Sequence, residues 1–172
     1  NAIRRLSLPS TLEFIDVNTF SESTSNLTLL FPNGHSIYTA EGNCLSDKST
    51  KTLIRGFAFS TPPDWIEVIG NSAFQGCSGL EEIKFPSSLK TIGQNAFKNC
   101  TSLKKIKIDG AVTLKNYAFY GCTSLKSITI PDSVTSIEPG VFYGCESLTS
   151  ITVEKNNPNY CSVDENLFNK NK

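Results

Sequence analysis

The stretch Ala118-Phe-Tyr-Gly-Cys-Thr-Ser-Leu-Lys-Ser-Ile-Thr-Ile-Pro131 returns along the chain, column for column, at steps of 22 or 23 residues. Phe74, Phe97, Phe119 and Phe142 are 23, 22 and 23 residues apart. Cys77, Cys100, Cys122 and Cys145 keep the same steps, as do Leu80, Leu103, Leu125 and Leu148. Ile83, Ile106, Ile128 and Ile151 form a fourth column, and Phe85, Ile108, Ile130 and Val153 a fifth. Columns in lockstep at such a period are the mark of stacked supersecondary units, each too small to bury its apolar side alone.

The unit reads A-F-x-x-C-x-x-L-x-x-I-x-I-P-x-x-V-x-x-I, and its parts have physical meanings. In Leu80-Glu-Glu-Ile-Lys-Phe85, Ile83 and Phe85 alternate with Glu82 and Lys84, the pattern of a half-buried strand. Lys105 to Ile108 and Ser127 to Ile130 repeat it. Pro86 and Pro131 then end the strand. A second apolar pair follows, Leu89 and Ile92 or Val134 and Ile137, before turns at Gly93 and Gly140. Phe97, Cys100, Leu103 and Ile106 recur every third residue, so on an α-helix their stripe would drift about 60° per step. The A-F-x-x-C segment is therefore expected to be one tight turn.

Other parts of the chain carry weaker copies. Leu6, Leu8, Pro9, Leu12, Ile15 and Phe20 lie 77 residues before Ile83, Phe85, Pro86, Leu89, Ile92 and Phe97. We read residues 1–20 as a partial N-terminal repeat. Residues 21–52 break the pattern and read as an irregular insertion, with a hairpin expected between Leu27-Thr-Leu-Leu-Phe31 and His35-Ser-Ile-Tyr38 around Asn33-Gly34. Residues 53–172 read as the repeat array proper, beginning with a half unit at Trp65 to Phe74. The tail from Glu165 to Lys170 loosely resembles Gly42 to Lys48, as if the insertion began again. With no polar capping unit at either end, the chain reads as a piece of a longer array, truncated at the C-terminus.

Composition narrows the function. The 172 residues carry 16 Lys+Arg against 16 Asp+Glu, so the basic excess of a general nucleic-acid or anionic-membrane binder is missing. Hydrophobic residues at 38% and eleven Phe argue for a packed core. No apolar run approaches the ~18–20 residues of a membrane-spanning helix, so no direct membrane insertion is expected. His35 is the single histidine and follows Asn33-Gly34, the setting of a loop residue. A histidine-based triad therefore has one candidate base and no constellation around it, and no phosphate-binding glycine loop or metal-ligand spacing appears. We expect no enzyme, no cofactor and no metal.

Six cysteines in an even count suit an oxidising compartment, but four of them are periodic. Equivalent positions point the same way, about 4.8 Å apart in a stack. A disulfide prefers a Cβ separation of roughly 3.5–4.5 Å. Cys77, Cys100, Cys122 and Cys145 are thus expected to be a column of buried free thiols beside an aromatic ladder of Phe74, Phe97, Phe119 and Phe142. Whether Cys44 and Cys161 pair is left open.

The A-F-x-x-C and I-P-x-x-V-x-x-I signatures, with strand spacing L-x-x-I-x-F in Leu80 to Phe85, resemble the BspA-type (Treponema-type) leucine-rich repeat, most specifically across Ser72 to Val153. The resemblance implies a leucine-rich repeat solenoid, a right-handed β/α superhelix with short parallel strands on its concave face and turns, short strands and 3-10 segments elsewhere. It implies a secreted or surface-anchored protein, extracellular or at the cell surface, with an adhesive role and no catalytic motif. The outward strand positions are then the candidate ligand face: Glu82, Lys84, Lys105, Lys107, Ser127, Thr129, Ser150 and Thr152. For any single one of these residues a solvated sheet face kept polar for solubility is the commoner case, and no outward aromatic column stands among them. Asn26-Leu-Thr28 and Asn99-Cys-Thr101 are glycosylation sequons. The expected function is a non-catalytic binding module for a protein partner, such as a host extracellular-matrix or cell-surface protein, with no nucleic acid involved. The alternatives are a structural spacer or self-assembling stalk and an intracellular scaffold.

Overall fold

The computed structural model describes residues 4–15, 20, 27–164 and 166–170. Its strands are β1 (Arg5–Ser7), β2 (Thr28–Leu30), β3 (Tyr38–Thr39), β4 (Leu45–Asp47), β5 (Thr52–Arg55), β6 (Val68–Ile69), β7 (Glu82–Lys84), β8 (Thr91–Ile92), β9 (Lys105–Lys107), β10 (Thr113–Leu114), β11 (Ser127–Ile130), β12 (Ser136–Ile137), β13 (Ser150–Val153), β14 (Tyr160–Val163) and β15 (Asn166–Asn169). Among the described residues the one helical element is a 3-10 turn at Glu41–Asn43, so the β/α superhelix has no α-helix in it. The chain is a β-solenoid.

Each full coil contributes one strand to each of two faces. On one face, β5, β6, β8, β10 and β12 run parallel in a sheet that β4 and β3 extend antiparallel. Its register aligns Thr52, Val68, Thr91, Thr113 and Ser136 in one row and Leu53, Ile69, Ile92, Leu114 and Ile137 in the next. The first row is half-buried, and the second enters the core. The other face is built of parallel pairs, β1 with β2, β7 with β9 and β11 with β13.

The A-F-x-x-C segment is a tight turn, as its three-residue spacing predicts. Cys77 N–H donates to the Phe74 carbonyl at 3.0 Å, and Cys100 N–H to that of Phe97 at 3.1 Å. Successive turns are also laddered. The N–H groups of Ser72, Phe74 and Gly76 donate to Gln94, Ala96 and Lys98, and those of Asn95, Phe97 and Asn99 donate to Asn116, Ala118 and Tyr120. This stacking requires left-handed backbone at two columns. Ser72, Asn95, Tyr117 and Gly140 have φ of 56°, 56°, 57° and 71°. Gly76, Asn99, Gly121 and Gly144 have φ of 72°, 60°, 70° and 73°. Asn and Gly are the residues that tolerate this conformation best.

Between the faces lies the core. Phe74 stacks on Phe97 at 4.9 Å, Phe97 on Phe119 at 5.1 Å, and Phe119 on Phe142 at 6.0 Å, with rings within 12° of parallel. Stacked pairs of this kind add to area burial. All six cysteines are free. In the thiol column, Cys100, Cys122 and Cys145 donate to the carbonyls of Phe74, Phe97 and Phe119 in the preceding coil, at 3.0, 3.2 and 3.1 Å. Burial pushes the Cys77 thiol up to about 11 and Cys44 up to about 12, and raises Cys100 well above its ordinary value. Cys44, Cys77 and Cys100 are thus held as thiols, whereas the contact with Cys122 holds Cys145 below its ordinary value.

The core is not one continuous spine. A second cluster of Ile15, Phe20, Leu27, Leu29, Tyr38, Leu45 and Phe57 fills the N-terminal end. At the junction the fully buried Arg55 donates to the carbonyls of Ser72 (3.1 Å) and Gln75 (3.2 Å), and its guanidinium lies 5.8 Å from the Phe57 ring.

Residues 27–48 differ from the expected hairpin. Leu27 to Phe31 does not pair with His35 to Tyr38. Instead β2 runs parallel to β1, Leu29 opposite Leu6, continuing the 23-residue step. The antiparallel pairs are β3 with β4 and β4 with β5. His35 is what shapes the turn into β3. Its Nδ1 accepts from the N–H groups of Ile37 (3.1 Å) and Tyr38 (3.0 Å), and its Nε2 lies 2.7 Å from the Leu12 carbonyl. An acceptor on one nitrogen and a carbonyl on the other fix the neutral Nε2–H tautomer.

Candidate functional site

The candidate ligand face is set by the alternation of β7, β9, β11 and β13. Ile83, Ile106 and Ile128 point into the core, which leaves the residues on either side of each exposed. Register then places Glu82 opposite Lys105 and Lys84 opposite Lys107. Farther along, Ser127 stands opposite Ser150 and Thr129 opposite Thr152. All eight predicted positions are exposed except Ser150, which is half-buried. Six of them, Glu82, Lys84, Lys105, Lys107, Ser127 and Thr129, line one groove of about 600 Å³ together with Asp109. Ser150 and Thr152 lie beyond it.

The groove has a charged half and a hydroxyl half. Opposite charges face each other at Glu82 and Lys105, and like charges at Lys84 and Lys107. Like charges directly across a ladder repel. Lys107 answers this by pairing with Asp109 at 2.9 Å. Just outside, Lys104 pairs with Glu81 at 2.8 Å. Lys84 and Lys105 have no carboxylate within 4 Å among the described residues. Three lysines against two carboxylates leave the charged half net basic. The two halves meet where no hydrogen-bonded ladder joins β9 to β11. That break coincides with the coil that is one residue short, between Val112 and Leu114, and in which Asp109 replaces the usual proline.

The remaining predicted positions fall elsewhere. Asn99 is exposed, with φ of 60°, in a column otherwise made of glycine, which accounts for its residue type. Asn26 lies outside the described residues. Cys44 is buried and Cys161 half-buried, each free. His35 has the turn-forming role described above. Among the described residues no three His, Cys, Asp or Glu side chains converge as a metal site. No helix among them is long and apolar enough to cross a membrane.

One group escaped the sequence reading. Tyr117, Tyr120 and Tyr143 cluster on the turns rather than on the strands, with Tyr120 stacked on Tyr143 at 5.5 Å. The signal was present: Tyr120 and Tyr143 directly follow the ladder residues Phe119 and Phe142, where earlier coils have Gln75 and Lys98.

The family model for the BspA type leucine rich repeat region matches residues 56–172 in six copies. No curated protein matches the sequence. The crystal structure of the pneumococcal vaccine antigen PcpA superposes with a TM-score of 0.77 at 24% identity, over 89% of this chain and 39% of that one. A leucine rich cell surface protein from Faecalibacterium prausnitzii gives 0.64 at 27% identity, over 88% and 48%. A leucine-rich repeat protein from Bacteroides capillosus gives 0.62 at 24% identity, over 69% and 99%. The chain thus spans less than half the length of the first two. Its columns, its stacked turns and the span of the family match make it a member of the BspA-type leucine-rich repeat family.

Proposed function

We propose that the strand face is the ligand surface of a non-catalytic extracellular module that adheres to a protein partner, of the host-matrix or host-cell-surface kind. The observation that carries this reading is the polar strand face from Glu82 to Thr129, register-aligned between β7 and β9 and continued by β11. It gathers charged and hydroxyl side chains from three successive coils into one groove. Stacked coils make an extended surface of this sort without any loop insertion. The unpartnered Lys84 and Lys105 suit an acidic patch on the partner, and such charges govern specificity and association rate more than raw affinity. Likeness to a protein described as a cell surface protein supports the location.

The test is binding of the intact chain to a panel of immobilised matrix glycoproteins by biolayer interferometry, repeated with Lys105→Glu/Lys107→Glu. Saturable binding that falls by at least about tenfold in the double variant, with unchanged melting, is the expected result. No binding anywhere in the micromolar range, or binding indifferent to the charge reversal, overturns the reading.

A further inference from the structure

The tyrosine cluster on the turns is built in a way the fold does not require. Tyr117 occupies the left-handed column at φ 57°, where the other coils place Ser72, Asn95 and Gly140. A bulky residue in that conformation is strained. Its ring is accommodated only because residue 140 is glycine: a Cβ there would come within 2.3 Å of the Tyr117 ring. Tyr120 meets Tyr117 edge-on at 6.0 Å and stacks on Tyr143 at 5.5 Å, with the rings 17° apart. The Lys98 ammonium lies 5.3 Å from the Tyr120 ring. Tyr143 is nevertheless 67% exposed and Tyr117 43%. The preceding coils fill the same columns with Ser72, Gln75, Asn95 and Lys98 and stack equally well. Folding therefore does not explain three tyrosines here.

Together with Asn95 and Lys98 these rings line a cleft of about 290 Å³. That is just below the usual range for ligand sites, which suits a single sugar ring, and aromatic walls with a few polar groups are their usual composition. The walls and the rim each specify a chemistry. An aromatic face is electron-rich and attracts polarised C–H groups. The phenol hydroxyls of Tyr117, Tyr120 and Tyr143 have no protein hydrogen-bond partner among the described residues, and the Asn95 amide adds both a donor and an acceptor. A pyranose presents the complement, a flat C–H face edged with hydroxyls. Lys98 is the one charged residue lining the cleft and has no carboxylate partner among the described residues.

We infer that this cleft binds an acidic saccharide, a pyranose bearing a carboxylate or sulfate, stacked on the tyrosine faces with its anion toward Lys98. The site shares no residue with the strand-face groove, so the two readings stand or fall separately.

Saturation-transfer NMR on the intact chain tests it, with 3′-sialyllactose, a sulfated heparin disaccharide and neutral lactose as probes. The expected result is saturation of ring protons in at least one acidic sugar, with lactose weaker. The two acidic arms separate a carboxylated from a sulfated source. Tyr143→Gln and Tyr117→Asn import residues that other coils already carry at those positions. Each should lower affinity by about tenfold or more while leaving melting unchanged. Lys98→Gln should remove the preference for acidic over neutral sugar. No transfer to any acidic sugar at millimolar concentration overturns the inference, as does binding indifferent to Tyr143→Gln. A matrix protein captured through Tyr143 with no sugar bound would also overturn it, in favour of a protein contact.

Discussion

In their described parts, residues 5–48 and 127–170 repeat the same strand pairings 122 positions apart. In the first, Arg5 pairs with Thr28 and Tyr38 with Asp47; in the second, Ser127 pairs with Ser150 and Tyr160 with Asn169. His35 and Asn157 are equivalents. Asn157 Oδ1 accepts from the N–H groups of Asn159 (2.9 Å) and Tyr160 (2.8 Å), and its Nδ2 donates to the carbonyls of Pro131 and Val134. His35 does the same for Ile37, Tyr38 and Leu12 with a ring in place of an amide. Lys48 and Lys170 each donate to the carbonyl of that residue at 2.6 Å. Yet burial differs sharply. Ser46 is fully buried while its counterpart Phe168 is 50% exposed. In the first copy β5 pairs with β4 and hands the chain to the long sheet, whereas β15 has no such neighbour among the described residues. Local sequence sets the hydrogen-bonded frame, and the next coil sets what is covered.

The two copies can be pulled apart by substitution. The largest effect belongs to the ladder between them: Phe119→Ala, which removes a ring stacked on both sides, should cost about 3–5 kcal/mol in equilibrium urea unfolding. A loss below about 1 kcal/mol would mean that the rings do not stack. Next, Leu45→Ala should cost about 2–5 kcal/mol, because Leu45 is fully buried, whereas Leu167→Ala should cost less than about 1.5 kcal/mol. Equal costs would deny the role given to β5.

The turn residues sharpen the comparison further. Asn157→Ala leaves buried carbonyls and amides unpaired and should cost about 2–3 kcal/mol. His35→Ala, at a wetter site, should cost about 1–2 kcal/mol, while His35→Asn should fold nearly as well as the parent. Failure of His35→Asn to restore what His35→Ala loses would refute the equivalence.

Thiol chemistry separates the copies at smaller amplitude. At pH 8 iodoacetamide should modify the half-buried Cys161 and spare Cys44 until denaturant is added, as mass spectrometry can read. Burial raises Cys44 to about 12 and Cys77 to about 11. From about pH 9 upward the unfolded chain releases thiol protons that the folded chain keeps, so stability should fall between about pH 9 and 11 and be unaffected by these groups below that. A urea midpoint flat across this window would contradict it. Smallest of all, Lys48→Met and Lys170→Met should each shift stability by less than about 1 kcal/mol.

The array was legible because its columns are chemically redundant. Phenylalanine, cysteine, leucine and isoleucine each mark one position in four coils, and the three-residue spacing excluded a long helix. The first copy was hidden because Ser23 and Asn26 stand where the cysteine and leucine columns would fall. With those marks missing, Leu27 to Phe31 looked like half of a hairpin when it was a strand of the regular stack. The exposed face was readable from alternation alone, since Glu82, Lys84, Lys105 and Lys107 must point outward if Ile83 and Ile106 point in. The tyrosine cluster was not, because it joins turns of two coils, and turn neighbours depend on a left-handed backbone that periodicity does not encode. The same holds for Arg55, whose partners Ser72 and Gln75 sit in the following coil.

The amide-to-carbonyl rungs between successive turns all lie along the stacking direction. Tension applied across the stack therefore loads one rung set at a time instead of shearing many together. Pulled apart along that axis, the stack should open coil by coil.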